Sequence, residues 1–68
     1  MFPTPKYPDA TAELTTCDGN AFALMGCVRK ALAAVGVSHD EIAAFTDEAM
    51  SGDYDHLLQV CERWVTVL

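Results

Sequence analysis

The stretch between Gly19 and Gly36 constrains the fold of this chain more than any other. Its residues, GNAFALMGCVRKALAAVG, are rich in Ala, Leu and Met, so intrinsic propensity favours a helix. Asp18 or Asn20 can cap the start of that helix, and Gly36 can adopt the left-handed conformation that ends one. We therefore predict a central helix between the two glycines.

The first half of this central helix is apolar on nearly every side. Residues 21–27 read AFALMGC, without a charged side chain, and a helix of that kind is buried on most sides. A single chain of 68 residues has few other elements with which to cover it. We therefore predict a homo-oligomer, by default a homodimer. Its predicted interface consists of four residues: Phe22, Leu24, Met25 and Gly26.

Two further helices are predicted after Gly36. Ser38 and Glu41 have the spacing of a capping box, in which each side chain binds the backbone N–H of the other residue. The second helix therefore starts there and runs to about Met50. Asp53 can cap a third helix. The apolar residues of the third helix recur at helical spacing on one face: Leu57, Leu58, Cys61, Trp64 and Val65.

Both ends of the folded region have the character of short strands. Residues 10–15 alternate between apolar and polar side chains, and residues 64–68, WVTVL, are rich in β-branched residues. These segments are predicted to pair. The expected fold class is α+β and mainly helical, with three helices flanked by short N- and C-terminal strands in the order β-α-α-α-β.

Three prolines within the first eight residues predict an extended tail. The tail comprises residues 1–9, in which Phe2 and Tyr7 can act as aromatic anchors. A single small globular domain of residues 10–68 follows it.

The net charge limits the partners that this chain can bind. Ten acidic and four basic residues give a formal charge of −6 at pH 7, which repels polyanions and anionic lipid surfaces. We therefore expect no binding to extended nucleic acid or to a membrane. The sequence contains neither a run of roughly 18 apolar residues nor the apolar core of a signal peptide. This pattern predicts a cytoplasmic protein.

The cysteines and acidic groups predict neither catalysis nor metal binding. Cys17, Cys27 and Cys61 include no C-x-x-C pair, and their odd number leaves a thiol unpaired. We expect reduced thiols, with Cys27 and Cys61 in the core and Cys17 more exposed. The acidic residues around His56 lack the spacing of a calcium loop or a zinc helix. No metal, cofactor or catalytic residue is predicted, and an enzyme acting through Cys17 or His56 is the least favoured alternative.

The sequence suggests a ligand site in a pocket between subunits. The site combines a helix start, whose amides bind anions, with three cations and two aromatic faces suited to stacking. Such a pocket fits a small nucleotide-derived molecule. The alternative partner is a basic host protein attracted by the acidic second and third helices. The predicted ligand-binding residues are Asn20, Arg29, Lys30, Tyr54, Arg63 and Trp64.

The segments GNAFALMGCVRKAL, SGDYDHLL and WVTVL resemble a group of short uncharacterised proteins from phage and bacterial genomes. The shared pattern is G-N-A-F, a basic pair in the first helix, S-G-D-Y-D-x-L-L and a terminal W-V. The pattern covers most of residues 19–67. The resemblance assigns no activity, cofactor or site residue to this chain. The resemblance implies a protein that binds and blocks a host component. One such protein would be a phage anti-defence protein that sequesters a nucleotide-derived signalling molecule.

Overall fold

The computed structural model describes residues 4–17 and 19–68, without the side chain of Thr16, and confirms the predicted β-α-α-α-β order. No helix in these ranges is long and apolar enough to cross a membrane. The elements are strand β1 (Tyr7–Ala12), a 3₁₀ turn (Leu14–Thr16), helices α1 (Ala21–Ala34), α2 (His39–Ala49) and α3 (Tyr54–Trp64), and strand β2 (Val65–Val67).

The two strands form a parallel two-stranded sheet. Ala12 lies opposite Val67, and the register is irregular between Tyr7 and Thr11. The prediction that β1 starts at residue 10 was wrong, because residues 7–9 of the expected tail belong to the strand. Pro8 is tolerated there because a proline without an N–H suits an edge strand or a bulge. The predicted anchor Phe2 lies outside the described residues.

Local capping chemistry determines where each helix begins and where α1 ends. Gly36 has a φ of 82° and ends α1, as predicted. The cap of α1 is Asn20, and the alternative cap, Asp18, lies outside the described residues. The capping bonds run from the Ala23 N–H to Asn20 Oδ1 at 2.8 Å, from the Glu41 N–H to Ser38 Oγ at 3.3 Å, and from the His56 N–H to Asp53 Oδ1 at 2.9 Å.

The core lies where the three helices meet the sheet. Leu24 and Met25 are only 3% and 6% exposed and belong to this core, so the prediction that they form an oligomer interface was wrong. The chain itself covers that side of α1 with its other helices and its strands. Phe22 and Gly26 remain at the surface. The largest fully buried side chains are Phe45, Leu32, Val28, Val60, Val65 and Cys61.

A disulfide joins Cys17 to Cys27, so the expectation of free thiols at these two positions was wrong. Cys17 directly follows the 3₁₀ turn, and its partner lies in the second turn of α1. A separation of ten residues gives no sign of this pairing in the sequence. Cys61 is fully buried as a free thiol, as predicted, and its burial raises the pKa of the thiol to about 11.

Candidate functional site

An apolar hollow of about 240 Å³ opens between the first turns of α1 and α3 and the end of α2. Five large apolar side chains are exposed among the described residues, and three of them line this hollow: Phe22 (75% exposed), Met50 (58%) and Tyr54 (44%). The buried residues Met25, Ala49 and Leu57 line it as well. Adjacent exposed apolar side chains of this size mark interaction surfaces.

Helix ends place these exposed side chains at the hollow. Phe22 and Tyr54 both lie in a first turn. Side chains on a helix lean toward its N-terminus, so each of these residues lines the hollow from the start of its helix. Met50 caps the end of α2. The hydroxyl of Tyr54 donates a hydrogen bond of 2.6 Å to the carbonyl oxygen of Gly19. This bond fixes the ring of Tyr54 as one wall of the hollow.

A histidine holds the loop between α2 and α3. His56 Nε2 lies 2.9 Å from the carbonyl oxygen of Glu48 and 3.1 Å from Ser51 Oγ, whose hydroxyl donates to the same carbonyl at 2.6 Å. Because a carbonyl oxygen only accepts, Nε2 carries the proton and donates it. In this arrangement His56 is not placed as a base for Ser51. Gly52 packs on the ring so closely that an added Cβ would lie 2.7 Å from His56 Cγ.

The charge at the hollow is negative. Asp53 lines it, and Asp55 follows in the first turn of α3. No Lys or Arg within the described ranges lines it. The amides at the two nearby helix starts are partly satisfied by the caps Asn20 and Asp53, so an added anion would meet the Asp53 carboxylate.

The structure does not bring the three predicted cations into one pocket. Arg29 lines a hollow with His39 and Asp47. Lys30 lines a second hollow beside the disulfide. Arg63 lines a groove of about 500 Å³ along β2, and its Nη1 lies 3.7 Å from an oxygen of Glu48. Within one chain, the cations therefore face separate surfaces.

Trp64, another predicted ligand residue, is enclosed by its own chain. Its ring stacks on Tyr7 at 5.9 Å between centroids and meets Phe45 edge-on at 5.7 Å. Lys6 Nζ lies 4.5 Å from the ring centroid, and the indole N–H donates to Glu48 Oε2 at 3.1 Å. The indole ring therefore packs against side chains of its own chain rather than facing a ligand pocket. Of the six predicted residues, Tyr54 bonds to the carbonyl oxygen of Gly19, and Asn20, the next residue along the chain, caps α1 through the Ala23 N–H.

The N-terminal segment is held to α2 by Glu41. Its Oε1 accepts from Lys6 Nζ at 2.8 Å and from the hydroxyl of Tyr7 at 2.8 Å. This carboxylate therefore bonds to the N-terminal segment, which explains why only the Ser38 half of the predicted capping box forms. The bond from Lys6, and then the bond from Tyr7, lower the pKa of Glu41 below its ordinary value.

We expect this cluster to make the protein acid-sensitive. A carboxylate with a lowered pKa contributes stability that is present above its ordinary pKa of 4.5 and is lost as pH falls through its lowered value. Thermal unfolding should therefore be measured at a series of pH values from neutral downward. Below pH 4.5, Glu41→Gln should lose less stability than the wild type loses. The exposed Glu62 provides the control, Glu62→Gln. The account is contradicted if both variants follow the wild-type acid profile.

Comparison of the chain with protein-family models, curated proteins and solved structures finds no match. Sequence reasoning singled out Phe22 and Tyr54 for other roles and missed Met50 as a surface residue. A usable signal was present, because each of these large apolar residues stands within two positions of a helix cap or is one itself.

Proposed function

We propose that the protein is a non-catalytic binding protein that receives an apolar side chain of a basic partner protein in the hollow between α1, α2 and α3. The observation that carries this proposal is the clustering of Phe22, Met50 and Tyr54 around one hollow. Aromatic residues and methionine are enriched in protein interfaces, and methionine adapts to irregular partners.

The size of the hollow favours a side chain over a small molecule. Its volume of about 240 Å³ is below the roughly 300 to 1,000 Å³ usual for small-molecule pockets. One large aliphatic or aromatic side chain fits a space of this size. Anchoring of that kind, by a single residue in a desolvated pocket, is typical of interaction hot spots.

The charge determines which kind of partner is favoured. The formal net charge is −6, and Asp53 lines the hollow itself. A second copy of the chain would bring the same negative charge to the interface, whereas a basic protein would be attracted to it. The resemblance to small phage and bacterial proteins agrees with a partner of this kind in a host cell.

The nucleotide-derived ligand is a weaker proposal. It needs cations that converge, but Arg29, Lys30 and Arg63 line separate hollows. The groove along β2 is large enough for a small molecule, yet Glu62 lines it together with Arg63. Only a second copy in a suitable arrangement would bring the cations together.

The proposed cytoplasmic location has a consequence for the disulfide. Disulfides persist in oxidising compartments, and those formed in the cytosol are usually transient or redox-sensing. In a cytoplasmic protein of this structure, the Cys17–Cys27 bond is therefore expected to be transient.

Binding of a defined probe tests the proposed function. The probe is a labelled amphipathic peptide of lysine and leucine, and a glutamate–leucine peptide serves as the charge control. We expect fluorescence anisotropy to show binding of the lysine peptide only, and Phe22→Asp to weaken it at least about tenfold, as for an interaction hot spot. The new Asp alone would attract a cationic peptide, so weaker binding reports the lost apolar contact.

The matched control for this experiment is Leu68→Asp. Leu68 is 61% exposed and does not line the hollow, so the same substitution there should leave binding unchanged. Equal affinities of the Phe22→Asp variant and the wild type would overturn the proposal. Light scattering on the same samples distinguishes the alternative occupant, since a dimer that depends on Phe22 would place a second copy in the hollow.

A further inference from the structure

The Cys17–Cys27 disulfide closes a loop that carries one wall of the apolar hollow. Gly19 also lies in this loop, and its carbonyl oxygen accepts the 2.6 Å hydrogen bond from Tyr54. The covalent bond is therefore connected to the exposed ring of Tyr54 through a short segment of backbone. The residues of the loop that line the hollow are Ala21, Phe22 and Met25.

We propose that oxidation and reduction of the Cys17–Cys27 bond regulate partner binding at the apolar hollow. The oxidised bond fixes the Gly19 carbonyl that holds the ring of Tyr54. The reduced form frees this carbonyl, so the ring of Tyr54 loses its fixed position. The partner then binds more weakly, because the ring must be ordered during binding. This inference rests on the proposed function, since it concerns the regulation of the same site.

Reduction acts on the segment before α1 rather than on the helix. Leu24, Val28 and Leu32 keep α1 in the core whether or not the disulfide is present. Gly19, two residues after Cys17, lies before the helix and loses the covalent tie. The effect is therefore confined to the side of the hollow where Tyr54 meets Gly19.

A dithiol reductant can reach the bond and open it by ordinary thiol–disulfide exchange. Both cysteines are half-buried and line an open hollow with Lys30. One thiolate of the dithiol attacks a protein sulfur and expels the other as thiolate. Its second thiol then releases the protein, so that two electrons and two protons convert the bond into two thiols and the dithiol becomes a disulfide.

The surroundings are compatible with the reduced state. The carbonyl oxygen of Glu13 lies 3.5 Å from Cys17 Sγ, so the thiol formed there has an acceptor in place. Cys61 does not interfere, because it is fully buried and its burial raises the thiol pKa to about 11. The thiol–disulfide exchange therefore involves Cys17 and Cys27 and not Cys61.

NMR spectroscopy tests the link between the disulfide and the hollow without any partner. Spectra of the oxidised protein are compared with those of the protein reduced by dithiothreitol and of the Cys17→Ser/Cys27→Ser variant. We expect the Tyr54 ring signals to shift in both the reduced protein and the double-serine variant, while the Phe45 signals stay in place. Identical Tyr54 signals in all three forms would overturn the inference.

A binding cycle with the lysine–leucine peptide tests the regulation itself. Reduction should weaken binding to the wild type by about tenfold, the size expected for one hydrogen bond and the order that it provides. Oxidised Tyr54→Phe should show the same loss, and its reduction should add little. An equal effect of reduction on both proteins would contradict the inference. If the peptide does not bind the oxidised wild type, the proposed function fails, and the NMR comparison still decides whether the disulfide controls Tyr54.

Discussion

Phe45→Ala is expected to leave most of the protein unfolded at room temperature. Phe45 is fully buried, and its ring meets Trp64 edge-on at 5.7 Å. Truncation of a core phenylalanine to alanine destabilises proteins by about 3–5 kcal/mol. A single core in a domain of this size rarely supplies more than about 3–5 kcal/mol in total. Urea unfolding followed by circular dichroism measures the difference directly.

Phe22→Ala is the matched control for that experiment. The chemical change is the same, but Phe22 lies at the surface and lines the hollow. We expect its free energy of unfolding to stay within about 0.5 kcal/mol of the wild type. Similar losses for the two variants would show that Phe45 and Phe22 have been assigned to the wrong environments.

Gly52→Ala is expected to destabilise the protein by about 1–3 kcal/mol, as overpacking does elsewhere. The added Cβ would lie 2.7 Å from Cγ and 2.8 Å from Cβ of His56. Cβ moves only with the backbone, so a change of rotamer does not relieve the overlap. The loop that carries Met50 and Asp53 must therefore shift. Thermal and urea unfolding measure the loss.

The same substitution in a His56→Ala background separates this overlap from other effects. His56→Ala alone removes the bond to the Glu48 carbonyl and should itself destabilise the loop. Once the ring is gone, the overlaps with the ring atoms disappear and only the 2.8 Å approach to Cβ remains. Gly52→Ala should therefore cost clearly less than in the wild type, because the two residues interact directly and their effects are not additive. An equal loss of stability in both backgrounds would mean that the backbone at Gly52, and not the ring of His56, causes the destabilisation by alanine.

The sequence predicted the helices well because their limits depend on neighbouring residues. Asn20, Ser38 and Asp53 each bind an amide three positions further on, and Gly36 takes the left-handed conformation expected after α1. Such signals act over a single turn and are visible in the sequence itself. The pairing of the end strands was also predictable, since β-branched residues and alternation stand out in a mainly helical chain.

The parts that the sequence did not predict depend on contacts between distant residues. Tyr7 bonds to Glu41 across 34 positions, and this contact draws the expected tail into the fold. The apolar half of α1 predicts a second subunit, yet the chain's own strands and helices cover Leu24 and Met25.

The candidate site consists of the surface side of α1, the end of α2 and the start of α3. Their proximity follows from the packing of the three helices, and the separation of the predicted cations has the same cause. Neither is encoded in the spacing of residues along the chain.

The hollow lined by Phe22, Met50 and Tyr54 is the proposed binding surface. Titration of the isotope-labelled oxidised protein with the lysine–leucine peptide, followed residue by residue by NMR, tests it most directly. We predict saturable shifts concentrated on the residues that line this hollow. Shifts concentrated around Arg29 and Lys30, or scattered over the acidic surface without saturation, would contradict the claim.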